Sequence, residues 1–345
     1  MALFEKKRIL VTGTCGTVGS SLVHQLLKNA EYGPSEVIGL DNNESELFFL
    51  DQAYADDSRA SFFVADIRST DALARHMKDI DIVFHTAALK HVILSERSPD
   101  EAVYTNIHGV QNVISAAYQN KVEKVIFTSS DKAVNPTNVM GTTKLMGERL
   151  MTSANSNKRP GDPIFASTRF GNVLGSNGSV VQIFRSQIKV GGPVTLTDPE
   201  MTRFVMSIED SVKLVLASAE LACGGEVFIT KMPVIRISDL ASVMIESLAP
   251  QFGFNPADIE IKIIGVKPGE KMYEELMSTE ETRRSIELEH YFSVLPAFRS
   301  LYQDIDYTYP GKSVKSVTNP YNSSLETALS KQQIHNLLDK FRLLD

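Results

Sequence analysis

A short polar stretch near the middle of the chain, Ser130-Asp131-Lys132, carries side chains suited to proton transfer. A carboxylic acid and an amine can act as acid and base when their pKa values are shifted from the usual ones. Residues 122–127, just before them, turn apolar and lead into small hydroxyl residues, which predicts a buried parallel strand. Ligands bind at the carboxyl ends of such strands in open α/β sheets. We therefore expect this stretch to face a ligand-binding cleft.

A second amine, Lys144, follows on a predicted helix. Asn135 and Pro136 break the chain after the strand, and residues 141–150 have helical spacing. The helix would return Lys144 to the same edge of the sheet, so that a hydroxyl, a carboxylate and two ammonium groups meet in one cleft. The alternative interpretation of the acid and amine is a capped turn with a surface ion pair.

Glycines recur between the first predicted strand, residues 8–12, and the first predicted helix, residues 18–27. In a dinucleotide-binding turn, such glycines permit a tight turn, close approach of the backbone to a pyrophosphate, and packing of helix on strand. The helix N-terminus adds amide donors for the phosphates. A purely structural turn is the alternative. The cofactor contacts predicted in this turn are Gly13, Thr14, Gly16, Thr17, Val18 and Gly19.

An acidic residue, Asp41, stands at the end of the second predicted strand, residues 36–40. A carboxylate about 20 residues past the glycines accepts hydrogen bonds from the adenosine ribose hydroxyls. It would also repel the 2′-phosphate of NADP, and residues 42–44 contain no arginine or lysine to hold that phosphate. The sequence thus favours NAD over NADP, although Asp41 could instead cap the following helix.

Two further predicted strands, residues 61–65 and 81–85, end in candidate ligand contacts. The residues after the first would reach the adenine. Small residues after the second would let the backbone pass close to the cofactor, and the basic residues that follow would face the cleft. His91 is equally compatible with a structural role. The predicted contacts are Asp66, Ile67, Ala87 and Ala88 for the cofactor, and Lys90 and His91 for the substrate.

Strands alternate with helical stretches through the first half of the chain, which predicts an α/β fold with a doubly wound parallel sheet of Rossmann type. We expect residues 1–172 to form the NAD-binding domain. Residues 173–345 would form mainly a substrate-binding lobe, with some segments returning to the sheet, because glycines and prolines punctuate shorter elements there. The amphipathic stretch at residues 325–344 predicts a terminal helix for packing or oligomer contacts.

The composition is typical of a soluble globular protein, with 43% hydrophobic and 22% charged residues. A net charge of −7 without a concentrated basic run argues against a nucleic-acid partner. No apolar run approaches the roughly 18 residues needed to cross a bilayer, and no cluster of metal ligands is present. Two cysteines, Cys15 and Cys223, fit a reducing compartment. We expect a cytoplasmic protein without a membrane partner or a metal.

Together these motifs resemble the extended short-chain dehydrogenases/reductases and, more narrowly, the nucleotide-sugar 4,6-dehydratases that act on UDP-N-acetylglucosamine. The resemblance covers most of the chain up to the region of residue 295. It implies a UDP-sugar substrate and a homo-oligomer. Besides the glycine turn, the motifs that carry it are residues 85–91, 130–133, 169–173, 197–204 and 268–271.

The resemblance implies internal redox chemistry on the sugar. Hydride leaves C4 for NAD, the C5 proton and the C6 hydroxyl are lost, and hydride returns to C6. Asp131 would be the acid at the C6 hydroxyl and Lys132 the base at C5, which requires a lowered pKa. Lys144 would supply a neighbouring cation and bind the nicotinamide ribose, and Ser130 would hydrogen-bond the C4 oxygen.

One residue departs from the wider superfamily. Met140 stands where the active-site tyrosine is expected, four residues before Lys144. A thioether cannot transfer a proton, so the group that takes the C4 hydroxyl proton is open, with Asp131 a candidate directly or through water. Some members of the dehydratase subgroup also have methionine at this position.

The resemblance further implies three substrate-side residues, Asn172, Arg203 and Glu270. Retention of configuration at C5 is weakly preferred, because the chain lacks the basic residue after Asp41 that accompanies NADP in inverting soluble members. The alternatives are a UDP-sugar 4-epimerase or reductase on the same fold, or a non-catalytic NAD-binding protein.

Overall fold

The computed structural model describes residues 3–156, 158–176, 178–265, 269–302, 305–309 and 315–345. Helices and strands alternate along the chain. The strands are β1 Arg8–Thr12, β2 Glu36–Asp41, β3 Ala60–Val64, β4 Ile82–His85, β5 Lys124–Ser130, β6 Ile164–Phe170, β7 Asn172–Val173, β8 Val194–Leu196, β9 Thr202–Met206, β10 Val227–Thr230, β11 Val234–Arg236, β12 Ile261–Ile263, β13 Glu275–Met277, β14 Ser285–Glu287, β15 Tyr291–Val294, β16 Lys315–Ser316 and β17 Tyr321–Asn322.

The α-helices pack on the sheet and build the lobe. They are α1 Thr17–Lys28, α2 Glu44–Ala53, α3 Thr70–His76, α4 Val92–Arg97, α5 Pro99–Val103, α6 Gly109–Asn120, α7 Val139–Ser153, α8 Val180–Lys189, α9 Ile208–Leu221, α10 Ile237–Leu248, α11 Thr279–Thr282 and α12 Lys331–Lys340. A π-helical turn at Tyr104–His108 leads into α6, and a 3₁₀ turn at Asp131–Ala133 follows β5.

The central sheet has the strand order β16-β14-β15-β10-β6-β5-β4-β1-β2-β3. Its strands from β3 to β10 are parallel, and β15 and β14 continue it in antiparallel pairing. The order reverses between β1 and β4, where the crevice of a doubly wound sheet forms. The predicted α/β doubly wound sheet is confirmed.

The strands that reach the crevice are apolar because both faces of the sheet are covered by helices. Ile9 and Val83 are fully buried in the middle of β1 and β4, and Leu22 of α1 packs into the same core as Ile9. Burying one such side chain stabilises the fold by about 1.5–3 kcal/mol. A second core, centred on α8, α10 and α12, holds the lobe together.

Segments after residue 172 do rejoin the central sheet as β10 and β14 to β16. The lobe has its own small sheets, β11-β9-β7, β12-β8 and β13-β17. The division at residue 172 itself stays a prediction. Among the described residues, no helix is long and apolar enough to span a membrane.

The terminal helix is shorter than the predicted range of 325–344. A capping box fixes its start: the Ser330 side chain accepts a hydrogen bond from Gln333 N–H, and the Gln333 side-chain oxygen accepts one from Ser330 N–H. Leu329 N–H donates to the Val234 carbonyl, which holds the preceding segment against the lobe. The helix ends at Lys340, and Arg342 then takes a left-handed conformation with φ of 53°.

Candidate active site

A cleft of about 800 Å³ lies at the carboxyl edge of the central sheet, where it meets the lobe. Most of the predicted site residues share this cleft. Those that line it are Gly16, Thr17, Val18, Gly19, Ala88, Lys90, His91, Ser130, Asp131, Lys132, Met140, Lys144, Asn172, Arg203 and Glu270. The predicted cofactor contacts Gly13, Thr14, Asp41, Asp66, Ile67 and Ala87 lie at or beneath neighbouring strand ends and do not form its wall.

The turn between β1 and α1 requires glycine for its shape. Gly13 has a φ of 73°, and a Cβ atom there would lie 2.7 Å from the Ala87 backbone. A Cβ atom at Gly19 would lie 2.2 Å from the Gly13 carbonyl oxygen, so α1 could not approach the strand end. Gly16 precedes α1 and has no side chain to cap it, which leaves the first-turn amides facing outward for an anion.

Asp41 is held over this turn. Its carboxylate accepts hydrogen bonds from Cys15 N–H at 2.9 Å and from Asn43 N–H at 3.0 Å. These two contacts leave acceptor sites for ribose hydroxyls, since a carboxylate can accept about four hydrogen bonds. Asp66 is instead paired with Arg68 at 2.6 Å, and Ile67 is buried.

Buried polar atoms surround the turn. Thr14 Oγ1, His85 Nε2 and Ser129 Oγ are buried and have no hydrogen-bond partner within the described part of the chain. Buried polar atoms normally find a partner. Together with the glycine cradle and the carboxylate of Asp41, they form a polar surrounding that fits a dinucleotide.

The acid and amine of the central motif sit on the 3₁₀ turn that follows β5. Ser130 Oγ donates to Asp131 Oδ1 at 2.7 Å and accepts a hydrogen bond from Lys132 N–H at 3.2 Å. Lys132 Nζ lies 3.1 Å from both carboxylate oxygens of Asp131. Asp131 is buried, whereas the Lys132 side chain keeps 34% of its surface exposed. The pair therefore faces the cleft as one unit.

The expectation of a lowered pKa for Lys132 is wrong. Burial does lower the pKa of its ammonium, but the nearby carboxylates of Asp131 and Glu274 outweigh burial, so that the pKa is raised. Lys132 is thus held in its charged form. The expectation considers burial and the cation of Lys144, but not the attraction of the adjacent Asp131, which is the larger raising effect, or of Glu274, which is far away along the chain.

The pKa of Lys144 is shifted in the opposite direction, downward. Its Nζ donates to the Thr128 carbonyl at 2.9 Å and lies 4.7 Å from the centre of the Phe127 ring. Burial lowers the pKa of Lys144 to about 8, and Glu148, one helical turn further on, only partly opposes this effect. Helix α7 returns Lys144 to the end of β5, as its helical spacing predicted.

Met140 lies in the first turn of α7 and is 3% exposed. The helix begins at this point because Asn138 Oδ1 accepts a hydrogen bond from Gly141 N–H at 2.8 Å. Met140 borders the cleft beside Asp131 and Lys132. Its side chain offers an apolar contact where a tyrosine would offer a hydroxyl.

The substrate-side residues converge on a carboxylate that sequence reasoning missed, Glu274. Asn172 Nδ2 lies 2.8 Å from both Glu274 oxygens and 2.9 Å from the Phe204 carbonyl oxygen. Arg203 Nε lies 3.3 Å from Glu274 Oε1, and its terminal nitrogen lies 3.8 Å from Glu270. A second acidic residue four positions after Glu270 was the available signal.

Glu274 is 4% exposed and lines the cleft. Burial, followed by repulsion from Asp131, raises the pKa of Glu274 to about 7, although Lys132 and Arg203 act in the opposite direction. A carboxyl group with a pKa near neutrality can exchange protons at physiological pH. The cleft therefore holds a second acid–base candidate besides Asp131.

The remaining predicted contacts lie at the mouth of the cleft. Lys90 and His91 are exposed, and His91 precedes α4. Of the motif at residues 268–271, Pro268 lies outside the described residues. Lys271 Nζ donates to the Val134 carbonyl at 2.7 Å, so this loop is tied to the segment after the 3₁₀ turn.

Comparison with known proteins places the chain in a family. A family model described as polysaccharide biosynthesis protein matches residues 9–296. A UDP-N-acetylglucosamine 4,6-dehydratase (inverting) of Campylobacter jejuni is 39% identical over 89% of this chain and 88% of its own length. A UDP-glucose 4-epimerase of Rickettsia massiliae is 36% identical over 97% of this chain and 96% of its own length.

The fold has a close counterpart among solved structures. The X-ray structure of Pen from Bacillus thuringiensis matches with a TM-score of 0.88 and 40% identity, and the match covers 98% of both chains. The match spans the sheet and the lobe alike. The chain thus belongs to the polysaccharide biosynthesis protein family, among the extended short-chain dehydrogenases/reductases related to nucleotide-sugar 4,6-dehydratases, as its motifs predicted.

Proposed function

We propose that the protein is an NAD-dependent 4,6-dehydratase of UDP-N-acetylglucosamine. The observation that carries the proposal is the group of acid–base residues in one cleft, the Asp131–Lys132 ion pair at the end of β5 and the carboxyl group of Glu274, together with Lys144 and the glycine turn. Water elimination needs an acid at the C6 hydroxyl and a base at C5. An epimerase, which only oxidises and reduces C4, needs neither.

The residues of the turn fit a nicotinamide dinucleotide. Bound there, such a cofactor supplies a reversible hydride acceptor for C4 and donor for C6. The first-turn amides of α1 would hold its phosphates, Asp41 the adenosine ribose and Lys144 the nicotinamide ribose. Asp41 and the acidic Glu44 that follows support NAD rather than NADP, because both would repel a 2′-phosphate.

Asp131 can serve twice without a tyrosine. As a carboxylate it takes the C4 hydroxyl proton when C4 is oxidised, and as the resulting acid it gives that proton to the departing C6 hydroxyl. Ser130 Oγ lies 2.7 Å from Asp131 Oδ1 and would hydrogen-bond the C4 oxygen in the same step. This assignment answers the question that Met140 raises.

On the substrate side, Arg203 is proposed to bind the diphosphate. Asn172, whose amide group donates to Glu274 and to the Phe204 carbonyl, is proposed to line the substrate end of the cleft with Glu270. A guanidinium group suits the paired oxygens of a diphosphate. Arg203 is already held close to Glu274 and Glu270. Binding of a dianion would therefore redistribute its contacts.

The proposal also includes the configuration at C5, which the reaction can retain or invert. The lack of a basic residue after Asp41 favours retention, whereas the Campylobacter relative at 39% identity is an inverting enzyme by name. Retention follows if one group removes and returns the C5 proton on the same face of the sugar. The proton couplings of the product distinguish the two results.

A second candidate is a UDP-sugar 4-epimerase, supported by the Rickettsia relative at 36% identity. A reductase of the same fold and a non-catalytic NAD-binding protein are further alternatives. The epimerase would return a hexose with its C6 hydroxyl intact. The non-catalytic protein would bind NAD and leave every nucleotide sugar unchanged.

The test is proton NMR of the purified protein with UDP-N-acetylglucosamine in D2O, with and without added NAD. The proposal expects a new C6 methyl signal and deuterium at C5. An epimerised hexose without a methyl signal would favour the second candidate. Unchanged substrate, in the presence of NAD, would contradict the proposal for this sugar.

A further inference from the structure

We propose that Glu274, rather than Lys132, is the base that removes the C5 proton of the sugar. The inference rests on the proposed dehydratase function and assigns one of its steps to a residue outside the motifs that suggested it. Glu274 lines the cleft together with Asp131 and Lys132. They reach the cleft from two directions, Glu274 from the lobe and Asp131 and Lys132 from the end of β5.

The carboxylate of Glu274 is held in place by donors. Phe204 N–H donates to Oε2 at 3.0 Å, and Asn172 Nδ2 lies 2.8 Å from both oxygens. The backbone of Glu274 is fixed as well, because its N–H donates to Ser323 Oγ at 2.9 Å. Such a carboxylate is oriented before any substrate arrives, as a base in an active site must be.

A further contact of Glu274, with Arg203, can be exchanged for a contact between Arg203 and the substrate. Arg203 Nε lies 3.3 Å from Glu274 Oε1, in a long ion pair. Since a diphosphate attracts a guanidinium group strongly, substrate binding would draw Arg203 away from Oε1. Oε1 would then regain an acceptor site, and the loss of the cation would make Glu274 a stronger base.

Lys132 is poorly suited to the same step. Its Nζ lies 3.1 Å from both oxygens of Asp131, and the negative charge of Glu274 adds to that attraction, so the amine keeps its proton. An ammonium group cannot accept a proton. It can stabilise the negative charge that develops on the C4 oxygen when C5 is deprotonated.

The proton count of the reaction then closes with these groups. The C4 hydroxyl proton passes to Asp131 as hydride leaves C4, and the C5 proton passes to Glu274. The C6–O bond breaks, and the hydroxyl leaves as water with the proton from Asp131. Hydride adds to C6, Glu274 returns a proton to C5 after exchange with solvent, and both carboxylates end ionised. Return by the same group gives retention at C5.

The test separates C4 oxidation from C5 proton removal in the holoenzyme with UDP-N-acetylglucosamine. In Glu274→Gln, NADH should form on mixing with substrate at about the wild-type rate and then accumulate, because the return of hydride to C6 waits for the slowed elimination. Exchange of C5 hydrogen with D2O and formation of the methyl product should slow by about 100-fold or more, the usual contribution of a general base. NADH formation also shows that the variant is folded.

Lys132→Arg gives the complementary result. Arginine stays charged at all working pH values and cannot act as a base. If Glu274 is the base, this variant keeps C5 exchange within about tenfold of the wild type, whereas it loses exchange if Lys132 is the base. The matched control is Glu275→Gln, which should retain both steps, because the Glu275 carboxylate contacts Asn135 at 3.1 Å and Lys271 at 3.7 Å.

The inference is overturned if Glu274→Gln exchanges C5 hydrogen at the wild-type rate. It is also overturned if NADH formation and C5 exchange fall by the same factor, which indicates a structural role. A wild-type protein that makes no methyl product would instead contradict the proposed function itself, so the two failures are distinguishable.

Discussion

Arg169 and Glu148 form a buried, two-pronged ion pair that joins β6 to α7. Arg169 Nε lies 2.9 Å from Glu148 Oε1, and a terminal nitrogen lies 2.7 Å from Oε2. Glu281 binds the same guanidinium group at 2.8 Å through each of its oxygens. Since α7 carries Lys144, this contact connects the position of a proposed catalytic lysine to a neighbouring strand.

Removal of Arg169 should destabilise the protein strongly. Arg169→Met would leave the buried carboxylate of Glu148 without a cation and Glu281 with only the longer contact to Arg284 at 3.4 Å. Breaking a buried pair in this way costs about 3–5 kcal/mol. The measurement is the free energy of unfolding by urea titration.

The control for this prediction is an exposed pair. Lys213 lies 3.9 Å from Asp210, and both side chains are more than half exposed. Lys213→Ala should change the free energy of unfolding by less than about 1 kcal/mol, as is usual for surface ion pairs. A loss at Arg169 no larger than this would contradict the structural role assigned to it.

A tyrosine at position 140 should supply a second route for the C4 hydroxyl proton. In the wild type, Asp131→Asn should abolish NADH formation from NAD and substrate, because Asp131 is the proposed acceptor of that proton. In a Met140→Tyr background, the same Asp131→Asn change should retain NADH formation, since Met140 borders the same cleft. Rapid absorbance measurements of NADH check both results.

The matched control is Met140→Phe, which has the same ring without the hydroxyl. It should not rescue Asp131→Asn. Equal rescue by phenylalanine and tyrosine would show that the effect comes from packing and not from proton transfer.

Asp41 should set the preference for NAD over NADP. Asp41→Asn removes the charge that repels a 2′-phosphate and keeps an oxygen to accept the hydrogen bond now given by Cys15 N–H. The ratio of dissociation constants for NADP and NAD should fall by about tenfold or more, which corresponds to about 1.4 kcal/mol. Calorimetric titration with each dinucleotide measures it.

Glu46→Gln is the control for charge alone, because it removes a negative charge near the same turn from an exposed position in α2. Its effect on the ratio should stay below about threefold, given the screening of exposed charges by salt. A change of equal size in both variants would contradict a specific role for Asp41.

The pH dependence of C5 exchange should report Glu274. Its pKa is raised to about 7, so the carboxylate is ionised above that pH and protonated below it. The groups that set this value are Asp131 and Lys132 on the turn after β5, and Arg203 with its partner Glu270 at the lobe side. At substrate concentrations well below KM, where the rate reports the free enzyme, exchange should therefore decrease as the pH falls through about 7.

If Lys132 were the base at C5, the pH profile of exchange would be different. Because the pKa of Lys132 is raised above its ordinary value, a lysine base would give exchange that keeps increasing well into the alkaline range. Rates of deuterium incorporation at C5, measured by NMR from about pH 5.5 to about pH 10, distinguish a Glu274 base from a Lys132 base. A plateau above neutrality supports the carboxylate.

Local sequence determined the parts of the site that lie close together along the chain. The glycine turn follows its strand directly, and Asp131 and Lys132 follow theirs, so strand direction alone placed both at the same sheet edge. A single helix is enough to return Lys144 to the same sheet edge, because α7 begins a few residues after the 3₁₀ turn. The fold class followed from the alternation of strands and helices.

Tertiary structure decided the protonation of the site. Glu274 accepts a hydrogen bond from Asn172, which lies 102 positions away along the chain. The negative charge of Glu274, in the lobe, also raises the pKa of Lys132 at the end of β5. No pattern of spacing encodes such a contact, because it depends on how the lobe packs against the sheet. The pKa of an ionisable group depends on burial and on charges within a few ångströms. For that reason the sequence identified Asp131 and Lys132 as reactive groups, while only the folded chain showed Lys132 held as a cation and a second carboxylate beside it.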